Sequence, residues 1–394
     1  MISFAVLAAG TLLSPAPQAN QTVEVPFRIA DNAMIVDSIV NGKQVSAMFD
    51  SGFSGAFVLS PTVNVGKPTG TMTLRDFVGE FQAPTVNITS LKFGSKNIDT
   101  TDMMVVQQDM GNMSLNYGMH CDGIMGFEVI AHDIVEINFE KQKMIFHPPT
   151  HDISKVTPDN QKTFLLKMLP KGNKSIELVA EGPGGEKMYL ALDTGNAFYA
   201  TTHRDVLERI KLWPEGKAPS FMKQSWVASG PVDSWDLEMK GGKIFSVPVE
   251  HAIWNIIDLP SSSADHDGTI GFQFLRHFNI TIDVQRRRVL LENFAGKVSE
   301  PPKANPGIYG FFDPSKKRVR VSRVTPNSPA ARAGIRVGDD ILDINGKEMV
   351  NQSFEAIQNL LDGEAGTKVT IALSRNGELI RHEVEREVLV NKLN

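Results

Sequence analysis

The chain has 394 residues and a formal net charge of −5, with 41% hydrophobic and 22% charged residues. That length exceeds what one core usually serves and predicts two or three domains of ordinary globular composition. Acidic residues prevail before residue 300, and after it 14 Lys and Arg stand against 12 Asp and Glu, so neither part has the basic surplus of a nucleic-acid binder.

The amino terminus reads "MISFAVLAAGTLLSPAPQAN". Residues 4 to 13 are uncharged and mostly apolar, and a Pro/Ala stretch follows them up to Ala19. The apolar run is too short to span a bilayer but suits the core of a secretory signal at 1–19, although no Lys or Arg precedes it. Export to the periplasm or the extracellular space is therefore expected. No later stretch is long enough for a membrane helix, so no integral membrane segment is expected.

From residue 23, "VEVPFRIADNAMIVDSIVNGKQVSAMFD" has short apolar runs joined by Asn41-Gly42, the dipeptide of a tight hairpin. The last run ends on Asp50-Ser51-Gly52. Taken alone, that triplet is an ordinary turn. Residues 188–199, "MYLALDTGNAFY", repeat the pattern with Asp193-Thr194-Gly195 after a Gly184-Gly185 turn. Further on, "CDGIMGFEVIAHDIVEINFEKQKMIF" (121–146) and "HDGTIGFQFLRHFNITIDVQRRRVLL" (266–291) align without a gap. The Asp residues are 143 positions apart and the glycines Gly126 and Gly271 are 145 apart, which implies internal duplication of a unit of roughly 140 residues.

Helical periodicity between these landmarks is confined to short pieces such as "RDVLERIKLW" (204–213). Arg286-Arg287-Arg288 reads as a solvated turn between two strands. Cys121 is the sole cysteine, which excludes an internal disulfide and leaves a small buried hydrophobe as the plain reading. Its counterpart in the second copy is His266. His251, His266 and Asp267 lack any metal-ligand spacing, and no G-x-S-x-G nucleophile elbow occurs. Neither a metal nor a cofactor is expected.

Residues 22–295 resemble the aspartic peptidase superfamily, of the retropepsin-like kind, with two copies fused in one chain as in pepsin-like enzymes. The resemblance implies an N-terminal lobe at 20–155 and a C-terminal lobe at 156–298. It implies catalytic Asp50 and Asp193, supported by Ser51, Gly52, Thr194 and Gly195 and by Gly126 and Gly271 in the apolar-apolar-Gly segments. Two carboxyl groups held close together share one proton, so one activates a water while the other donates to the scissile carbonyl. The expected activity is an aspartic endopeptidase acting on protein or peptide substrates. The alternative is a catalytically inactive scaffold that binds peptide in the same cleft. The pattern departs from the family at Phe53 and Asn196, where a small or hydroxylic residue is frequent, and no tyrosine falls in the expected flap near 66–82.

"VSEPPKANPG" (298–307) reads as a linker, assigned to 299–306. Beyond it, 307–390 resembles a bacterial-type PDZ domain, chiefly through "SPAARAGIRVGDDILDINGKEM" (328–349). The resemblance places Ile308, Tyr309, Gly310 and Phe311 at the carboxylate-binding loop and implies a C-terminal peptide ligand. A helix is expected at "NQSFEAIQNLLDG", with Phe354, Ile357, Leu360 and Leu361 at helical spacing. The predicted fold is thus mainly β, with two tandem acid-protease-like β lobes related by duplication and a small C-terminal PDZ β/α domain.

Overall fold

A computed structural model describes residues 21–393 apart from 77–78, 110, 112, 171–173, 228–229, 262–265 and 314–315. The expected signal at 1–19 lies outside the described residues. The protein is mostly β, built from several sheets with a PDZ domain at the C-terminal end.

Local chemistry explains the hairpins. Asn41 and Gly42 adopt φ of +48° and +78°, the left-handed pair that a two-residue turn needs to follow strand twist. They join Ala33–Val40 to Lys43–Asp50, which pair antiparallel from Ile35↔Met48 to Val40↔Lys43. The same logic places Glu177–Glu181 against Lys187–Leu192 around the Gly-rich turn.

Among the described residues the first sheet has 15 strands and the second 10. The first holds all twelve described strands up to His147 and also Thr163–Lys167, Phe278–Asp283 and Arg288–Asn293. The strands from the two parts of the chain join in the antiparallel pairing of Ile134–Asn138 with Phe278–Asp283, centred on Glu136↔Thr281. Burial of Phe27, Phe139, Phe272 and Phe274 beneath it is reinforced by edge-on ring contacts, with Phe139 5.7 Å from Phe27 and 5.5 Å from Phe272. Arg286 and Arg287 do sit in the turn after Asp283, yet they are bonded rather than merely solvated: Arg286 reaches Asp283 at 2.8 Å and Arg287 donates to Leu169 O.

The third sheet, of 6 strands, belongs to residues 308–385 and buries its own core of Ile308, Val321, Ile341, Ile357, Leu361 and Ile371. Its helix, Phe354–Leu361, starts where the Ser353 hydroxyl accepts from Ala356 N. The Pro-rich stretch before the domain is tied down. Val298 O accepts from the Tyr199 hydroxyl, Glu300 N donates to His251 O, and Ala304 and Asn305 bridge to Gly363 and Glu387. At the other end of the domain, Asn391–Lys392 adds a short parallel strand beside Leu237 and Glu238 of the second sheet.

Candidate functional site

Each Asp-[Ser/Thr]-Gly loop emerges where an apolar strand ends against a short buried segment. Lys43–Asp50 runs parallel to Gly123–Gly126 with Asp50 opposite Gly126. Lys187–Leu192 runs parallel to Gly268–Ile270, and Asp193 N donates to Ile270 O at 3.0 Å. Gly126 and Gly271 bond back into the loops: their amides donate to Ala56 O and Tyr199 O, and the next amides, of Phe127 and Phe272, donate to Phe53 O and Asn196 O.

The loops face each other. Ser51 N donates to Thr194 Oγ1 and Thr194 N to Ser51 Oγ, both at 3.0 Å, while the two hydroxyls donate to Leu192 O and Phe49 O. Ser51 and Thr194 are fully buried, so this lattice is what fixes the distance between the loops. A Cβ on Gly52 would lie 2.6 Å from Asp193 Cγ, and one on Gly195 would overlap the Asp50 carboxyl. Only glycine lets each carboxyl approach the opposite backbone this closely.

Asp50 Oδ1 accepts from Gly52 N and Phe53 N at 2.8 and 2.9 Å, and Asp193 Oδ1 accepts from Gly195 N and Asn196 N at 2.9 and 3.1 Å. Burial raises the Asp50 carboxyl, opposed by a bond from Asp193 and by these amides. Burial first, then the charge of Asp50, holds the Asp193 carboxyl well above the usual carboxylate range. The two carboxyls are therefore a coupled pair that gives up its protons less readily than two ordinary carboxyls.

The two departures from the family pattern have structural uses. The Phe53 ring packs beside Gly55 and Gly126. Asn196 braces its own loop, donating from Nδ2 to Thr201 Oγ1 and Thr269 Oγ1 at 3.1 and 2.7 Å and accepting Phe198 N on Oδ1. The expected flap region contains the hairpin of Pro68–Arg75 and Glu80–Val86. Tyr117, outside that region, lines the cleft, and burial followed by the charges of Cys121 and Asp50 pushes its hydroxyl well up. Sequence reasoning missed Tyr117 because nothing local marks its loop.

The carboxyl pair opens into a cleft of about 2020 Å³. Its wall continues past Phe198, Lys223 and Trp226 to Phe311 and Glu355 of the PDZ domain. Ile308, Tyr309, Gly310 and Phe311 open the strand Ile308–Asp313 rather than forming a loop, because all four enter the ladder with Arg318–Val324. Ile308, Tyr309 and Gly310 are buried and Phe311 is half-buried. Burial pushes the Tyr309 hydroxyl up, with Asp236 and Asp362 adding to it. Cys121 is a buried free thiol, with its Sγ at 3.2 Å from Gly123 O. Among the described residues no three His, Cys, Asp or Glu side chains come together as a metal-binding group.

A PDZ domain family matches residues 320–375. The chain is 31% identical over 81 residues to a probable CtpA-like serine protease of Staphylococcus saprophyticus, covering 21% of this chain and 16% of that protein. It is 42% identical over 64 residues to the periplasmic pH-dependent serine endoprotease DegQ of Escherichia coli, covering 16% and 14%. The chain thus spans only those fractions of the curated relatives it matches. An aspartic proteinase from Irpex lacteus superposes with a TM-score of 0.45 at 13% identity, covering 71% of this chain and 100% of that one, a likeness too slight to bear an argument. No helix among the described residues is long and apolar enough to cross a membrane.

These findings correct the expected chemistry. The relatives are serine proteases by name, which overturns the aspartic endopeptidase read from Asp50 and Asp193, together with the inactive scaffold framed on the same cleft. The physical reason is that an Asp-[Ser/Thr]-Gly loop at a strand end dictates backbone geometry and a shared proton, while a reaction is not fixed by fold.

Proposed function

We propose that the protein binds extended polypeptide and takes the end of a chain at its PDZ domain, as an exported component of protein breakdown. The observation that carries this reading is the placing of Ile308–Asp313. It is the edge strand of the third sheet, its one ladder partner among the described residues being Arg318–Val324. Strand addition there supplies main-chain hydrogen bonds, and backbone N–H groups beside Gly307 and Ile308 receive a terminal carboxylate. The helix Phe354–Leu361 contributes Phe354, Glu355 and Gln358 to the same cleft. The division into lobes at 20–155 and 156–298 belongs to this reading, as do a connecting segment at 299–306 and the domain at 307–390.

Fluorescent decapeptides with random upstream sequence, offered to the full chain with a free or an amidated C-terminus, test it. Saturable binding of the free acids, weakened about tenfold or more by amidation, is the expected result. Equal binding of acid and amide would overturn terminal capture.

A second reading, serine-type peptide hydrolysis, is favoured by the names of the matched relatives. Covalent labelling of the full chain by a fluorophosphonate, with the labelled peptide mapped by mass spectrometry, supports it. Failure to label alongside intact peptide binding removes it.

A further inference from the structure

The second sheet reaches across to the PDZ edge strand through an aromatic side chain. Strand Lys223–Val227 forms a hairpin with Gly230–Lys240 and carries Trp226, 46% exposed. The indole meets the Phe311 ring edge-on, centroids 5.2 Å apart at 64°. The hairpin is anchored on both sides of this contact. Lys223 pairs with Asp236 at 2.5 Å and lies 4.7 Å over the Phe198 ring. On the PDZ side, Thr325 Oγ1 donates to Met222 O at 2.8 Å and Arg323 pairs with Asp233.

Single exposed aromatic residues are common and need no explanation. What distinguishes Trp226 is its fixed position over the edge strand where a peptide would add. A peptide added antiparallel to Ile308–Asp313, its last residue opposite Ile308, puts its third residue before the end opposite Phe311. The side chain at that place meets the indole. We propose that Trp226, from outside the PDZ domain, selects the bound chain end: the partner is a polypeptide C-terminal segment with a large apolar side chain at the third position before its last residue. This deepens the peptide-binding reading and rests on it. Apolar contact rewards a Leu or Phe there, whereas an Asp there gives up hydration against two aromatic rings whose one donor is the indole N–H.

The geometry also supplies a direct readout. Trp213, Trp235 and Trp254 are at most 3% exposed, so a ligand in this groove changes the emission of Trp226 alone. The experiment uses the full chain, free-acid peptides scanned at each of the last six positions with Leu, Phe, Ala and Asp, and amidated controls. In the wild type, Leu or Phe at the third position before the end binds about tenfold tighter than Ala, with a change in emission. Trp226→Ala abolishes that preference while still binding the free acids, and Trp226→Phe retains the preference and loses the emission change. Unchanged thermal unfolding certifies that each variant is folded. If free acids bind in preference to amides but the preference is absent, lies at another position, or survives in Trp226→Ala, the role of Trp226 is overturned and peptide capture stands. If no peptide binds, or acid and amide bind alike, the peptide reading itself falls and this inference falls with it.

Discussion

Ser51 and Thr194 exchange hydrogen bonds in both directions, each backbone amide donating to the other residue's hydroxyl at 3.0 Å. Each hydroxyl then donates to a carbonyl of the strand leading into the opposite loop, 2.8 Å to Leu192 O and 2.7 Å to Phe49 O. Three polar groups on each side, Ser51 N, Ser51 Oγ and Phe49 O against Thr194 N, Thr194 Oγ1 and Leu192 O, thus bond across the contact between the loops. Thr194→Val keeps the shape and strands Ser51 N and Phe49 O, at a cost of about 2–4 kcal/mol. Ser51→Ala strands Thr194 N and Leu192 O at a similar cost, and the double variant loses less than the sum because both changes break one network. Urea titrations read all three, and single losses below about 1 kcal/mol would show that the lattice does not hold the loops together.

The carboxyl pair gives stability a definite pH dependence. With its pKa raised in the folded state by burial and by Asp50, Asp193 binds its proton more tightly folded than unfolded. Its contribution is therefore complete below the ordinary carboxylate range and is lost as pH rises from there through the raised value. Asn at 193 cannot ionise, and its Oδ1 still accepts from the amides of Gly195 and Asn196. Asp193→Asn is expected to be more stable relative to wild type at pH 7 than at pH 4, each kcal/mol appearing as about 2–4 °C in Tm. A Tm difference that is the same at both values would rule out a proton held by Asp193.

Asp362, at the end of the PDZ helix, behaves in the same sense over a window that is easier to reach. Burial pushes its pKa up to about 6, with Lys303 opposing and Asp236 adding. Ionising Asp362 where the PDZ domain meets the second sheet is more costly in the folded chain than in the unfolded one. Stability from this group is present at pH 4 and lost by pH 7, a swing on the order of 3 kcal/mol. Asp362→Asn flattens the unfolding profile over that interval; a profile as steep as that of wild type would assign the slope to other groups.

The parts of the fold legible in the sequence are those dictated locally. Asn41-Gly42 has to form a left-handed turn, and Ser353 followed by an apolar helical stripe has to open a helix. Both are found, at the hairpin of the first sheet and at Phe354–Leu361. Long-range pairing is another matter: nothing in residues 134–138 names 278–283 as its neighbour, since any apolar strand satisfies that alternation. Arg386 shows a related limit. Arginine is usually exposed, yet here it is buried and donates to Leu360 O, Leu361 O and Lys368 O, closing the end of the PDZ helix. Function was less legible than fold. The Asp-[Ser/Thr]-Gly repeats point to paired carboxyl groups, whereas the named relatives overturn the reaction that was expected of them.

The last strand of the chain fixes how the PDZ domain sits on the second sheet. Asn391 is 4% exposed, and its amide oxygen accepts Ser220 N at 2.7 Å and Phe221 N at 3.3 Å. Its Nδ2 donates to Phe221 O and Asp236 O, both at 3.1 Å. One side chain therefore bonds four backbone groups, Ser220 N, Phe221 N, Phe221 O and Asp236 O. Asn391→Ala strands them, costing about 2–4 kcal/mol of local stability, and frees Asn391–Lys392 from Leu237–Glu238. Hydrogen exchange monitored by mass spectrometry should show the amides of Ser220 and Phe221 and the 391–392 segment exchanging faster, with the core strands at Val321 and Ile371 unaffected. Asn391→Asp retains the acceptor and loses both donors, so it protects the two amides in part and leaves Phe221 O and Asp236 O unpaired. If neither variant alters exchange at 220–221, the tail is not what seats the domain, and the Arg323–Asp233 pair and the Thr325 hydroxyl must hold it instead.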